Sequence, residues 1–245
     1  MLDLEKELKP LLKSLARIAG LLWQKGWAEA SAGNISINLM GLVSFDSQAS
    51  PEEIPLLTPR PELGGMSFLV TAAGSRMRDL AENPERGTGV ITLSNDGAGY
   101  CVSWSGAEGF RPSSELSSHL AIHGLLVSRG SDYRVVLHAH PDELIAISLV
   151  KDFQDPEKLN RLLFSAQPEV GILIPEGVGF VPYTLPGSEE LSRATAEAFR
   201  NHRVVIWANH GAVAVGRDAE EAFDLMDILN KAARILLLSG KGQWV

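Results

Sequence analysis

Two apolar, β-branched runs that end on imidazoles constrain this chain more than any other feature: VVLHAHP carries His138 and His140, and VVIWANHG carries His210. Such runs read as buried strands, so the histidines fall where a strand leaves a sheet for a loop. Residues i and i+2 of a strand project from one face, so His138 and His140 can address one point while Ala139 turns away. Two imidazoles from one strand and a third from elsewhere suit a zinc-type ion with one coordination position left for substrate. Any one of them alone reads more readily as a hydrogen-bonded core residue, as do His119, His123 and His202. At this level a metal site and a packed core are both open.

With 245 residues, 45% of them hydrophobic and 21% charged, the chain can bury a sizeable core, and we read it as one domain over residues 1–245. A net charge of −8 argues against non-specific binding of nucleic acid or an anionic membrane, so an anionic ligand has to be held by local donors. The only cysteine, Cys101, excludes an intrachain disulfide and fits a reducing compartment, the cytoplasm. The N-terminal stretch has leucines at helical spacing and charges through its first half. It reads as an amphipathic helix from residue 3 to about residue 25 and not as a signal peptide or membrane span.

Beyond that helix, the patterning predicts a strand in SAGNISINL (31–39), a Pro- and Gly-rich surface excursion over 41–66 and a strand at 66–71. A short helix, a hairpin turned by SNDG, a helix over 113–130 and the strand DYRVVLHAH follow. Two short helices over 142–166, a strand pair around EVGILIP and GFVPYTLP, a helix in SEELSRATAEAFRN, the strand RVVIWAN and a closing helix over 218–240 complete the order. The fold class is α/β: one α/β/α layered unit around a mixed, largely antiparallel sheet.

Glu115 is the first chemical candidate beyond the histidines. It starts a helix directly after Pro112, Ser113 and Ser114, where backbone N–H groups and the helix dipole favour anions. Such a residue can simply improve the helix start; near a divalent ion it can be a general base. His119, four residues on, shares that helix face and can orient it or pack as an ordinary core histidine. The turns SAGN (31–34) and TAAGS (71–75) offer backbone N–H groups to a phosphate, although glycine turns usually serve geometry alone. There is no Walker loop, GxGxxG fingerprint or GxSxG elbow, and Cys101 sits in an apolar strand.

The strings GWAEASAGNISINL, FLVTAAG, DGAGY, SSELSSH, VVLHAHPDELIAISLV, EGVGFVPYTLPGSEE and WANHG together resemble the class II aldolase/adducin family over roughly residues 20–240, most closely its enzymes acting on L-rhamnulose 1-phosphate. The resemblance implies that His138, His140 and His210 hold Zn2+ and that Glu115 is the acid/base beside it. It also implies cleavage of a ketose 1-phosphate to dihydroxyacetone phosphate and an aldehyde, L-lactaldehyde from L-rhamnulose, through an enediolate that a Lewis acid can stabilise. Gly33, Asn34, Gly74, Ser113 and Ser114 are the implied phosphate contacts. Glu169 matches a carboxylate lent by a neighbouring subunit of a homotetramer whose active sites lie between subunits. Two positions depart from the family pattern: Ala73 removes a hydroxyl from the usual TGSG turn, and Ser31 replaces an asparagine. An aldolase for L-fuculose 1-phosphate, a pentulose-phosphate 4-epimerase or dehydratase, and a non-catalytic scaffold are the alternatives.

Overall fold

The computed structural model describes residues 4–43 and 52–240; residues 44–51 of the predicted excursion lie outside that range. In chain order the elements are α1 (Leu4–Gln24), β1 (Asn34–Asn38), β2 (Ile54–Pro55), β3 (Ser67–Thr71), α2 (Met77–Glu82), β4 (Thr88–Leu93) and β5 (Gly99–Ser105). Next come α3 (Leu116–Ser128), β6 (Val135–Ala139), α4 (Asp142–Ser148), α5 (Pro156–Ala166), α6 (Pro168–Leu173) and β7 (Gly179–Val181). The chain closes with α7 (Glu189–Ala198), β8 (Val204–Trp207), β9 (Gly211–Gly216) and α8 (Ala219–Leu238).

The strands form one sheet in the order β2-β5-β4-β3-β1-β6-β9-β8-β7. Every pairing is antiparallel except that of β7 with β8. The period-2 alternation of β6 shows how the layers are sorted. Val135, Leu137 and Ala139 enter the larger core beneath α1, α4 and α8, whereas Val136 joins Ile122, Leu191 and Trp207 beneath α3 and α7. The expected α/β/α layering and largely antiparallel mixed sheet are therefore what the chain adopts.

Three local expectations are corrected. EVGILIP is no strand: Pro168 opens the helix α6 with Glu169 in its first turn and Val170 as the residue it buries, and Ile174, just past its end, is buried as well. Proline at the first helical position, with an acidic residue in the first turn, outweighs the β-branched composition. The excursion is not wholly superficial either, since Ile54 pairs with Tyr100 and Leu63 is fully buried. Burying one leucine contributes about 1.5–3 kcal/mol toward anchoring the segment. Finally, β9 is a strand with no counterpart among the sequence expectations. GAVAVG offers neither large apolar residues nor polar alternation because both of its faces are covered.

The connection from β8 to β9 carries His210. Asn209 takes φ +62°, His210 N–H donates to Trp207 O at 3.1 Å, and Asn209 N–H donates to Ser148 Oγ of α4 at 2.9 Å. Asparagine tolerates this left-handed conformation and a β-branched residue does not. Asn209→Val is expected to lower the unfolding free energy by about 1–3 kcal/mol, with Asn209→Gly close to wild type. Denaturant titration checks this, and equal loss in both variants contradicts it.

Candidate metal centre and active site

The two strings converge because β6 and β9 are neighbours, with His138 opposite Val213 and Ala139 opposite Ala212. His138 Nδ1 lies 3.0 Å from Ala212 O. A carbonyl oxygen only accepts, so Nδ1 carries the proton and Nε2 presents its lone pair. That Nε2 is buried without a hydrogen-bond partner. His140 is fixed in the same way: its backbone N–H donates to Trp27 O at 2.8 Å, and its Nδ1 lies 2.9 Å from Glu29 Oε1. One nitrogen from each of His138, His140 and His210 lies within 4.8 Å of the others. Three such imidazoles, with an unpartnered lone pair among them, fit a divalent ion.

Electrostatics favour the neutral, ligating form. Burial pushes His138 well below its ordinary value of 6.5, helped by His140 and His210 and only partly opposed by the Ala212 hydrogen bond. Burial also lowers His210, against the pull of Glu115. For Glu29, burial raises the carboxyl, but hydrogen bonds from His140 and the backbone outweigh it and the net shift is downward. Trp207 backs the cluster, tilted at 4.7 Å from His138 and stacked at 5.1 Å on His210, with its Nε1–H donating to Thr195 Oγ1 at 2.8 Å.

Glu115 is the residue just before α3 and not part of its first turn, and its side chain makes no capping bond. It turns into the cluster instead: Oε2 lies 3.4 Å from His138 Nε2 and Oε1 3.4 Å from His210 Nε2. Asn34 Nδ2 donates to Oε2 at 2.8 Å. This follows from β1 lying beside β6, with Asn34 opposite His138. Gly33 takes φ +79°, which L side chains rarely adopt, and a Cβ there would crowd His138 O at 3.2 Å.

The TAAG turn lies against the segment leading into α3. Ala72 pairs with Pro112, Ala73 N–H donates to Arg111 O at 2.8 Å, and Ser113 N–H donates to Thr71 O at 3.1 Å. Ser113 Oγ accepts from Glu115 N–H at 3.3 Å. The backbone N–H groups of Ala72, Ala73 and Ser75 are all engaged, whereas Gly74 and Ser114 make no hydrogen bond among the described residues. Asn34 and Ser113 line one small cavity beside His119, and Asn34 bonds Glu115, whereas Gly74 lines a separate pocket with Ser75, Arg76 and Asp79. Glu169 is not brought to Glu115 within one chain: it is exposed on α6 and makes no ion pair or hydrogen bond among the described residues.

Sequence reasoning missed Glu29, Trp207 and Ser36. Glu29 is 111 residues from His140 and stands in a loop with no periodic pattern. Ser36 Oγ lies 2.7 Å from His119 Nδ1 and 2.8 Å from His123 Nε2. Its only signal is the polar phase of NISIN, in which Asn34, Ser36 and Asn38 alternate with Ile35 and Ile37.

A family profile described as Class II Aldolase and Adducin N-terminal domain matches residues 13–237. A rhamnulose-1-phosphate aldolase of Bacteroides thetaiotaomicron is 39% identical over 229 residues, 92% of this chain and 84% of that one. A rhamnulose-1-phosphate aldolase of Yersinia pestis is 33% identical over 96% of this chain and 88% of that one. The crystal structure of a sugar-phosphate aldolase from Thermotoga maritima superposes with a TM-score of 0.81 at 30% identity, covering 96% of each chain.

Two outcomes follow from this geometry. A Cβ on Gly211 meets Ala139 O at 2.4 Å and both His138 Cε1 and His140 Cδ2 at 3.0 Å. Gly211→Ala is therefore expected to weaken divalent-metal affinity at least about tenfold, as loss of the groups that orient ligands does; calorimetric titration with wild-type affinity contradicts it. His119 and His123 are fully buried and lowered to about 3, by burial foremost. Unfolded histidine titrates near 6.5, so below that pH the unfolded state binds more protons and stability falls as pH drops toward 3. Each ring contributes up to about 1.4 kcal/mol per pH unit. In chelated protein, a denaturation midpoint as high at pH 5 as at pH 7 rules this out.

Proposed function

The chain belongs to the class II aldolase and adducin family and is an aldolase, and from that premise we propose that it cleaves L-rhamnulose 1-phosphate to dihydroxyacetone phosphate and L-lactaldehyde. The observation that carries the reading is a buried carboxylate, Glu115, set between His138 and His210 in a chain similar over most of its length to rhamnulose-1-phosphate aldolases. His138, His140 and His210 would hold the ion, and a set of three imidazole nitrogens suits Zn2+. A divalent ion bound there supplies Lewis acidity toward the substrate's carbonyl end, where charge grows as the C3–C4 bond breaks.

Cleavage takes a proton from the C4 hydroxyl and returns one to C3. Glu115 manages the proton at C3, held in place by the amide of Asn34 and screened from bulk water by its burial. Glu169 belongs to the aldehyde end of a neighbouring subunit's site in a homotetramer, which suits its exposure on α6. The phosphate is held by Gly33, Asn34, Gly74, Ser113 and Ser114, with Gly74 N–H and Ser114 as the donors that the fold leaves uncommitted. Ala73 withholds a hydroxyl at that turn. One such bond to a charged ligand is worth about 1.5–3 kcal/mol, so the phosphate is held less tightly than by a turn with serine. Among the described residues no helix is long and apolar enough to cross a membrane, and the reducing cytoplasm suits the single cysteine.

Metal-loaded protein is expected to release dihydroxyacetone phosphate from L-rhamnulose 1-phosphate faster than from L-fuculose 1-phosphate. Release from neither sugar ends the proposal, and recovery of an intact epimer would convert it to a 4-epimerase. His138→Ala is expected to lose metal and turnover together. Glu115→Ala keeps the metal and loses at least about a hundredfold in kcat, the usual scale for an acid/base group. Full metal content in the first variant overturns the ligand assignment.

A further inference from the structure

Between β1 and α3 lies a second group of polar atoms that the reaction leaves unused. Asn34 Oδ1, His119 Nε2 and His123 Nδ1 are buried without partners. A buried polar atom left unmet costs about 1–3 kcal/mol, so the two whose residues share one cavity, Asn34 Oδ1 and His119 Nε2, call for a ligand. Asn34 and His119 line one void of about 10 Å3, and Ser36, Thr71 and Ser113 complete its polar wall. That is room for a single water, which needs two to four polar partners.

Ser36 dictates which partners it finds. Its hydroxyl lies between His119 Nδ1 and His123 Nε2 and has one proton to give. It donates to one ring and accepts from the other, and because it meets Nδ1 of one and Nε2 of the other, the two rings carry the same tautomer, both Nε2–H or both Nδ1–H. With the proton directed at His119, that ring holds its own proton on Nε2 and offers it to the void. Water there accepts from His119 and donates to Asn34 Oδ1. With the proton directed at His123, the same water donates to both. In either case Asn34 Oδ1 is held by the water, and Nδ2 is turned to Glu115 Oε2, where it donates at 2.8 Å.

We infer that His119 is a positioning residue for Glu115, acting through one buried water and the Asn34 amide, with Ser36 and His123 setting its tautomer. The inference rests on Glu115 acting in the cleavage. Burial keeps both rings uncharged, at about 3, so the relay holds one protonation state across the neutral range. It also explains why an asparagine, rather than any small residue, lies beside the carboxylate.

A high-resolution crystal structure of the wild-type protein is expected to show one water bonded to His119 Nε2 and Asn34 Oδ1; a void without density overturns the inference whatever the protein cleaves. His119→Asn places an amide near the Nδ1 position and keeps the Ser36 contact while withdrawing the arm into the void. His119→Gln places its amide near Nε2. His119→Asn is expected to lower kcat about tenfold and shift the pH profile of kcat, with KM and metal content near wild type, whereas His119→Gln stays within about threefold. Equal losses in the two variants, or a loss confined to KM, contradict the positioning role. If the wild-type protein carries the water and cleaves no ketose 1-phosphate, the proposed reaction fails and the buried water stands.

Discussion

A carboxylate taken almost wholly out of water has to be met by donors or by a cation, and Glu115, only 6% exposed, imposes that requirement on everything around it. Its partners come from three separate parts of the chain: Asn34 at the start of β1, His138 near the end of β6 and His210 in the turn before β9. These meet because β1, β6 and β9 are consecutive in the sheet, while α3 delivers the carboxylate from the layer above. The central strands and the site are thus one arrangement, and a change in register of any of them moves a group that the carboxylate needs.

Much of this was legible in the residues. The i, i+2 spacing of His138 and His140 specified a shared face, and the apolar runs leading to the imidazoles specified buried strands. Glu115 was legible as a special position because serines and a proline precede it, although the sequence put it inside the first turn when it stands just before the helix. What could not be read was long-range or context-dependent. GAVAVG became β9 because β6 and β8 pair with it on either side and a core covers each of its faces, and EVGILIP became a helix because Pro168 and the acidic first turn outweigh strand propensity. The tie between Glu29 and His140 spans 111 residues and has no local signature, and the same holds for Ser36 between two histidines of another element.

The histidine cluster is also a concentrated liability. Ring centroids stand 5.0, 4.8 and 5.1 Å apart, and desolvated rings so close cannot readily share positive charge. The fold accepts this by fixing tautomers from outside, through Ala212 O and Glu29, so that lone pairs face inward. An ion that binds there satisfies atoms that the polypeptide cannot satisfy by itself, and any species that binds the folded chain in preference to the unfolded one raises its stability by mass action.

The pairing of β6 with β9 has a kinetic side as well. His138 and Ala212 are hydrogen-bonded although 74 positions apart, and β9 lies between β6 and β8, so the three-histidine geometry exists only in chains that have closed this non-local contact. Contacts of such separation form slowly because loop-closure entropy is lost before they give anything back. The HAH string alone offers two nitrogens to an unfolded chain, and the third arrives with the hairpin. Acquisition of tight metal binding during refolding therefore marks the moment at which the two halves of the sheet become one.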